Sequence, residues 1–257
     1  MFETIQYELK ESVAYISLNR PDTLNAFTAQ MNHEIRTAVK QASTDDSVRC
    51  IVLRGEGRAF CSGQDLSVID EDTKLGDILT DYYGPMVQQL HSCEKPIIAA
   101  VNGAAAGAGF SLALAADFRV MAEKSFFMNA FIHVGLIPDS GNLYYLKRLV
   151  GDAKALEISV LGQRIKPDEA KQLGLTTAVY SNETFEEDVH IFAQQIVQLP
   201  TKAIGLIKRN IKAAEHLKFR DFLTYEAQSQ SIAGATDDHQ EGMKAFAEKR
   251  QPQFSGQ

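Results

Sequence analysis

The sequence predicts an α/β fold in which a mostly parallel sheet is covered by helices and followed by a helical C-terminal part. Three observations lead there. Across the first half, short apolar runs of strand length alternate with segments of helical spacing, the order that builds βαβ units. After Gly141 the strand signal fades and helical periodicity takes over. No low-complexity linker and no fixed-period repeat divides the 257 residues, a length that one large domain, or a domain with an appendage, accommodates.

Taken in order, residues 5–9 and 13–18 read as a hairpin of two strands. Residues 28–42 have helical spacing, with Met31, Ile35 and Val39 on one stripe. A strand is expected over 48–53, broken in its apolar run only by Arg49. The three glycines of 55–63 suggest a loop, and 77–93 a second helix. Pro96 opens a buried strand at 97–101, a helix rich in Ala, Leu and Gly spans 107–116, and 118–122 is another strand. Helices are then expected over 143–149, 153–161, 167–173, 185–199, 202–214, 219–233 and 237–248. Pro167 suits a helix start and Pro200 a break between two helices.

Bulk properties narrow the function. Apolar residues make up 45% and charged residues 23%, as in globular proteins that build a sizeable core. A net charge of −7 argues against a nucleic-acid surface. The first residues lack the basic flank, apolar stretch and cleavage site of a leader, and no apolar run reaches membrane length. Cys50, Cys61 and Cys93 are scattered, as are the six histidines. That distribution fits a reducing cytoplasm and offers no metal-ligand cluster.

Two segments carry chemistry. Residues 57–66, GRAFCSGQDL, follow a buried strand. Small residues there let backbone approach a ligand, and the main-chain N–H groups of such a turn can face an anion. Asp65 is placed to N-cap the helical segment after it. The bland alternative is a tight surface loop. Residues 101–112, VNGAAAGAGFSL, end a strand in a Gly/Ala-rich turn that opens a helix, where unpaired N–H groups and the positive dipole end gather. The segment is not a GxGxxG dinucleotide fingerprint. Its alternative is a helix whose small residues permit close packing.

With residues 19–26, NRPDTLNA, and the tail 238–250, DHQEGMKAFAEKR, these segments resemble the crotonase (enoyl-CoA hydratase/isomerase) family in four separated motifs, in order, from the first strand to the C-terminus. The resemblance implies a crotonase-like spiral of ββα units in residues 1–195 and a helical trimerisation region in 196–257, assembled as a homotrimer or a homohexamer. It implies an acyl-CoA thioester substrate, with coenzyme A entering as part of the substrate and no bound cofactor or metal. An oxyanion hole is implied at the backbone N–H groups of Gln64 and Ala108, and contacts to the coenzyme at Leu24, Ala26, Ser62 and Leu66. Lys249 would reach phosphates, across a subunit interface in some relatives, with Phe246 packing nearby. A plain apolar face of the last helix is the alternative for Phe246 and Met243. Relatives often carry Lys at the position of Asp22.

The chain departs from a hydratase. The two glutamates that activate water in this family are replaced by Ser111 and Phe131, and water addition needs a carboxyl within hydrogen-bond reach. Asp139, in residues 135–142, GLIPDSGN, stands where relatives usually have Gly. That pattern resembles the enoyl-CoA isomerases of fatty acid metabolism and the ring-epoxide isomerase of phenylacetate catabolism, in which one carboxylate shuttles a proton. Phe126, Phe127, Phe131 and Ile132 are expected to give Asp139 an apolar lining that raises its pKa. A helix N-cap is the other reading of Asp139, and His133 reads as structural. Residues 68–85 are expected to shape the acyl pocket. A hydratase or lyase using another acid, or a non-catalytic acyl-CoA binder, are the competing functions; aryl-CoA dehalogenation fits less well in a chain without Trp.

Overall fold

The computed structural model describes residues 2–68 and 74–257. Strands β1 (Ile5–Lys10) and β2 (Val13–Leu18) form an antiparallel hairpin closed by Glu11 and Ser12, both at positive φ, the twist-matched geometry of a two-residue hairpin turn. Helix α1 (Ala29–Thr44) starts where the Thr28 side chain accepts a hydrogen bond from the Met31 N–H at 3.2 Å. Its Met31–Ile35–Ala38–Val39–Ala42 stripe is fully buried.

Three turns of one repeated plan come next. In each, a strand joins a six-stranded sheet, a second strand joins a four-stranded sheet, and a helix leads on. The first turn is β3 (Cys50–Gly55), β4 (Ala59–Cys61) and the helical run α2 (Leu75–Ile78), a π-helical turn (Leu79–Tyr83) and α3 (Gly84–Ser92). The second is β5 (Ile97–Val101), β6 (Ala104–Ala106) and α4 (Ala108–Ala115). The third is β7 (Phe118–Ala122), β8 (Phe126–Met128) and α5 (Asn142–Leu161). Strand β9 (Arg164–Ile165), helix α6 (Pro167–Gln172), strand β10 (Ala178–Tyr180) and helix α7 (Phe185–Val197) complete the sheets and their cover. Helices α8 (Thr201–Ala214), α9 (Phe219–Gly234) and α10 (Asp237–Glu248) end the chain. This is the ββα spiral with a helical C-terminal region that the family resemblance implied.

The large sheet has the order β1-β2-β3-β5-β7-β10, parallel from β2 onward, and the small one β4-β6-β8-β9. Both faces of the large sheet are covered, so its strands bury every second residue on each side. In β3, Ile51 and Leu53 face the core shared with α1, α3 and α4, whereas Cys50 and Val52 face Phe185, Val189 and Ala193 of α7. Each such aliphatic side chain contributes ~1.5–3 kcal/mol on burial.

The sequence reading missed the small sheet: residues 55–63 contain β4 and are not simply a loop, and β6, β8, β9 and β10 were not expected. The two helices expected around residue 150 do occur, as one run broken at Gly151 (φ 76°, ψ 167°). Among the described residues no helix is long and apolar enough to cross a membrane, and no group of His, Cys, Asp or Glu is arranged to hold a metal. All three cysteines are buried free thiols.

Candidate active site

Strands β4 and β6 run parallel, so their C-terminal ends lie side by side. The backbone leaves β4 through Gly63 and β6 through Gly107, and the two exits touch. A Cβ built on Gly63 would stand 3.5 Å from the Ala108 nitrogen and 3.7 Å from Gly107 Cα. Gly107, at φ 52° and ψ −126°, turns the chain into α4, a conformation that residues with a Cβ rarely adopt. At Gly109 a Cβ would fall 2.1 Å from the Cys61 carbonyl oxygen, so only hydrogen lets α4 sit this close to β4.

This packing sets two N–H groups. The Gly107 carbonyl accepts from the Phe110 and Ser111 N–H groups at 3.0 and 3.1 Å. In a trans peptide the Ala108 N–H then points the opposite way, out of the helix start. Beside it, Phe27 N–H donates to the Gly63 carbonyl at 2.7 Å and Asp65 N–H to the Phe27 carbonyl at 3.0 Å. The Gln64 N–H lies between these bonds. Among the described residues neither the Gln64 nor the Ala108 N–H has an acceptor, although Ala108 is 4% exposed. Buried N–H groups are nearly always paired, so the unpaired N–H of buried Ala108, with that of half-buried Gln64 beside it, is a candidate place for an oxygen. The positive end of α4 strengthens it. The Gln64 side chain is held by the Tyr83 hydroxyl, which donates to Oε1 at 2.7 Å.

The 19–26 segment is stapled to the same loop. Leu24 and Asn25 adopt left-handed conformations. Asn25 accepts from the Arg20 N–H and donates to the carbonyls of Glu56 and Ala59, at 2.9, 2.9 and 2.8 Å. Ser62 N–H donates to the Leu24 carbonyl at 3.0 Å. Arg20 spans Ala26 and Asp65, donating to the former's carbonyl at 2.6 Å and pairing with the latter's carboxylate at 3.0 Å. Asp65 also accepts from the Ser67 hydroxyl and N–H, the capping role expected of it. The Ser67 hydroxyl first, and Arg20 second, hold the Asp65 carboxyl below the usual carboxylate range. Leu24, Ala26, Ser62 and Leu66 are thereby gathered beside the two free N–H groups, with Leu66 60% exposed.

The third turn delivers a carboxyl to this edge. Phe131 is buried, and its ring lies 4.0 Å from the position a Gly107 Cβ would take. Beyond it, Asp139 is half-buried. Its Oδ1 accepts from the Ser140 hydroxyl at 2.8 Å, and among the described residues no cation pairs with it. Burial pushes its carboxyl pKa up, with the Ser140 hydroxyl opposing. The capping alternative fails: α5 starts only at Asn142 after Gly141 at φ 79°, with no side-chain cap.

Other expectations need correction. Phe127 is in the core, stacked on Phe110 at 4.7 Å; Phe126 lies under the Arg164 guanidinium, 4.5 Å away; Ile132 is exposed next to Gly162. Of the four proposed lining residues, only Phe131 is placed against the free N–H groups. His133 bonds the Gly162 carbonyl at 3.0 Å, a structural contact as expected. Phe246 is 84% exposed and Lys249 closes α10 in a left-handed conformation without an ion pair among the described residues, so one chain does not bring either to the site. Within the 68–85 segment, residues 69–73 lie outside the described residues. Tyr83, from the same segment, was missed: buried, with its phenol pKa raised by that burial, it is a neutral donor to Gln64.

A family model described as enoyl-CoA hydratase/isomerase matches residues 8–257. The chain is 40% identical over 256 residues to a Rhodobacter capsulatus protein named "Probable enoyl-CoA hydratase", covering 99% of each. It is 38% identical over 261 residues to the 1,2-epoxyphenylacetyl-CoA isomerase of Escherichia coli, covering 100% of both. The crystal structure of an enoyl-CoA hydratase from Bacillus anthracis superimposes with a TM-score of 0.92 at 30% identity, over 99% of this chain and 100% of that one. With its paired N–H groups, its ββα turns and these likenesses over its whole length, the chain is an enzyme that belongs to the enoyl-CoA hydratase/isomerase family.

Proposed function

We propose that the protein is an intramolecular isomerase of acyl-CoA thioesters, shifting a double bond from the 3-enoyl to the 2-enoyl position or rearranging a ring epoxide. One observation supports this reading: among the described residues the half-buried Asp139 carboxyl has no cation partner, and its backbone is bonded by Ser111, whose N–H bonds the Gly107 carbonyl beside the unpaired Ala108 N–H, while the positions of the hydratase glutamates hold Ser111 and Phe131. In the 3-enoyl case the thioester oxygen lies between the Gln64 and Ala108 N–H groups. The Asp139 carboxylate takes a proton from C2, the C2–H electron pair moves into the carbonyl, and a dienolate forms on that oxygen. The protonated carboxyl then returns the proton to C4. One preorganised donor is worth ~3–4 kcal/mol to such a transition state, and a pKa raised by burial suits a group that must both take and give a proton.

Coenzyme A runs along Leu24, Ala26, Ser62 and Leu66. Residues 196–257 serve oligomerisation, and in a trimer or hexamer Phe246 and Lys249 of a neighbouring copy meet the coenzyme. Buried free thiols suit the reducing cytoplasm. Hydration is the second reading, favoured by the R. capsulatus and B. anthracis names but not by the carboxylate count.

The test is Asp139→Asn, assayed by conjugation absorbance with a 3-enoyl-CoA and by exchange of solvent deuterium into substrate. We expect isomerisation and exchange to fall by several orders of magnitude, to a slow residual exchange, while acyl-CoA binding remains. A variant as fast as the parent refutes the single-carboxylate mechanism. A parent that hydrates crotonyl-CoA but does not isomerise supports the second reading.

A further inference from the structure

A row of buried polar side chains runs from α5 to the candidate base. Asn129 donates through Nδ2 to Asn142 Oδ1 and to Ser159 Oγ, each at 3.1 Å. Asn142 donates through Nδ2 to Ser111 Oγ at 3.2 Å. The Ser111 hydroxyl, with a lone pair so occupied, donates onward to the backbone carbonyl of Asp139 at 3.0 Å. Because each amide has one donating and one accepting end, the direction of the row is set, and it terminates on Asp139. That carbonyl also accepts the Asn142 N–H at 2.9 Å, so both of its lone pairs are engaged. Ser111, Asn129 and Asn142 are completely buried. Burying several polar groups is costly unless each is bonded, and here one acceptor, Asn129 Oδ1, has no partner.

The other end of Ser111 matters as much. Its N–H donates to the Gly107 carbonyl at 3.1 Å, and its hydroxyl lies 3.3 Å from the same oxygen. That carbonyl belongs to the peptide whose N–H is Ala108's. One residue thus touches the peptide that aims the free N–H and the peptide that carries the carboxyl. We propose that Ser111 is a positioning residue that fixes Asp139 relative to the Ala108 N–H, with Asn142 and Asn129 orienting its hydroxyl. This inference rests on the isomerase reading above. It gives the serine found at the first hydratase-glutamate position a part in proton transfer that involves no contact with substrate.

Ser111→Ala removes the hydroxyl with almost no change of volume. A displacement of the base by about 1 Å is enough to cost on the order of 100-fold in rate. We expect kcat to fall ~10- to 100-fold, with KM and acyl-CoA affinity within about twofold of the parent, because the coenzyme contacts lie elsewhere. In an Asp139→Asn background, where no base remains to be placed, Ser111→Ala should remove no further activity, read by slow deuterium exchange. Parental kcat in folded Ser111→Ala overturns the proposal. So does an equal fractional loss in both backgrounds, or a loss confined to KM. If Asp139→Asn alone matches the parent, the isomerase reading and this inference fall together. If Ser111→Ala does not fold, Ser111→Cys keeps the volume with a weaker donor and is read in the same way.

Discussion

Replacing Ala108 with proline deletes one N–H and little else. Ala108 is the first residue of α4, the helical position at which proline is best tolerated because its N–H has no partner within the helix. The N–H has no acceptor among the described residues either, so no structural hydrogen bond is broken. The loss falls on the reaction. One oxyanion donor is worth ~3 kcal/mol, or a factor of about 10²–10³ in kcat, and the ring Cδ takes the direction of the lost hydrogen, which deepens the effect. Ala108→Gly is the control. It keeps the N–H and costs at most ~1 kcal/mol of helix stability, or about 2–4 °C in a protein of this size. Steady-state turnover of a 3-enoyl-CoA, with circular dichroism and melting of each variant, separates the cases. A folded Ala108→Pro enzyme within a few-fold of the parental rate would refute the assignment of this N–H.

Two further outcomes are expected. The pKa of Asp139 is raised by burial in the folded state. As pH rises from the usual carboxylate range through the raised folded value, the unfolded chain ionises first and folding loses stability. Asp139→Asn should therefore melt higher than the parent at neutral pH, with the difference vanishing below about pH 4; a difference independent of pH contradicts the buried, unpaired carboxylate. Sedimentation equilibrium should give a trimer or hexamer, the assembly the family resemblance implies, which would cover large apolar side chains such as Phe246, Met243, Leu156 and Ile211, each 60% exposed or more in one chain. A monomer at micromolar concentration would contradict this and would remove Lys249 from any role across an interface.

The large sheet apart from its edge strand β10, and every long helix, were legible because their residues form apolar runs or repeats of five or more positions. The small sheet was not. Two- and three-residue strands such as β9 and β8 hold no full period, and the Ala104-Ala105-Ala106 of β6 has little β-propensity of its own; close backbone approach at Gly63 and Gly109 holds the β4 and β6 segments together. At the candidate site, the segments that hold Gln64, Ala108 and Asp139 were singled out by their resemblance to family motifs. Tyr83 was not, since its hydrogen bond to Gln64 links residues 19 positions apart through a π-helical turn. Phe127 was misread because an apolar residue near a site in sequence is no guide to which face of a three-residue strand it occupies. The Ser111–Asn142–Asn129 row was equally hidden: three short polar residues spread over 31 positions carry no local signal.

Three consecutive ββα turns empty onto one edge of the small sheet, and they divide the work unequally. The first two supply main-chain hydrogens, which survive nearly any change of side chain at Gln64 or Ala108. The third, from Phe131 to Gly141, carries Asp139, the acid of the proposed reaction. On the proposed reading, the main-chain donors that hold the thioester oxygen are indifferent to side chain, and the reaction is chosen by side chains at a few positions, those of Ser111, Phe131 and Asp139. Within such a layout, a lineage can exchange one chemistry for another by rewriting a few scattered codons while the backbone that makes the carbonyl reactive is inherited intact.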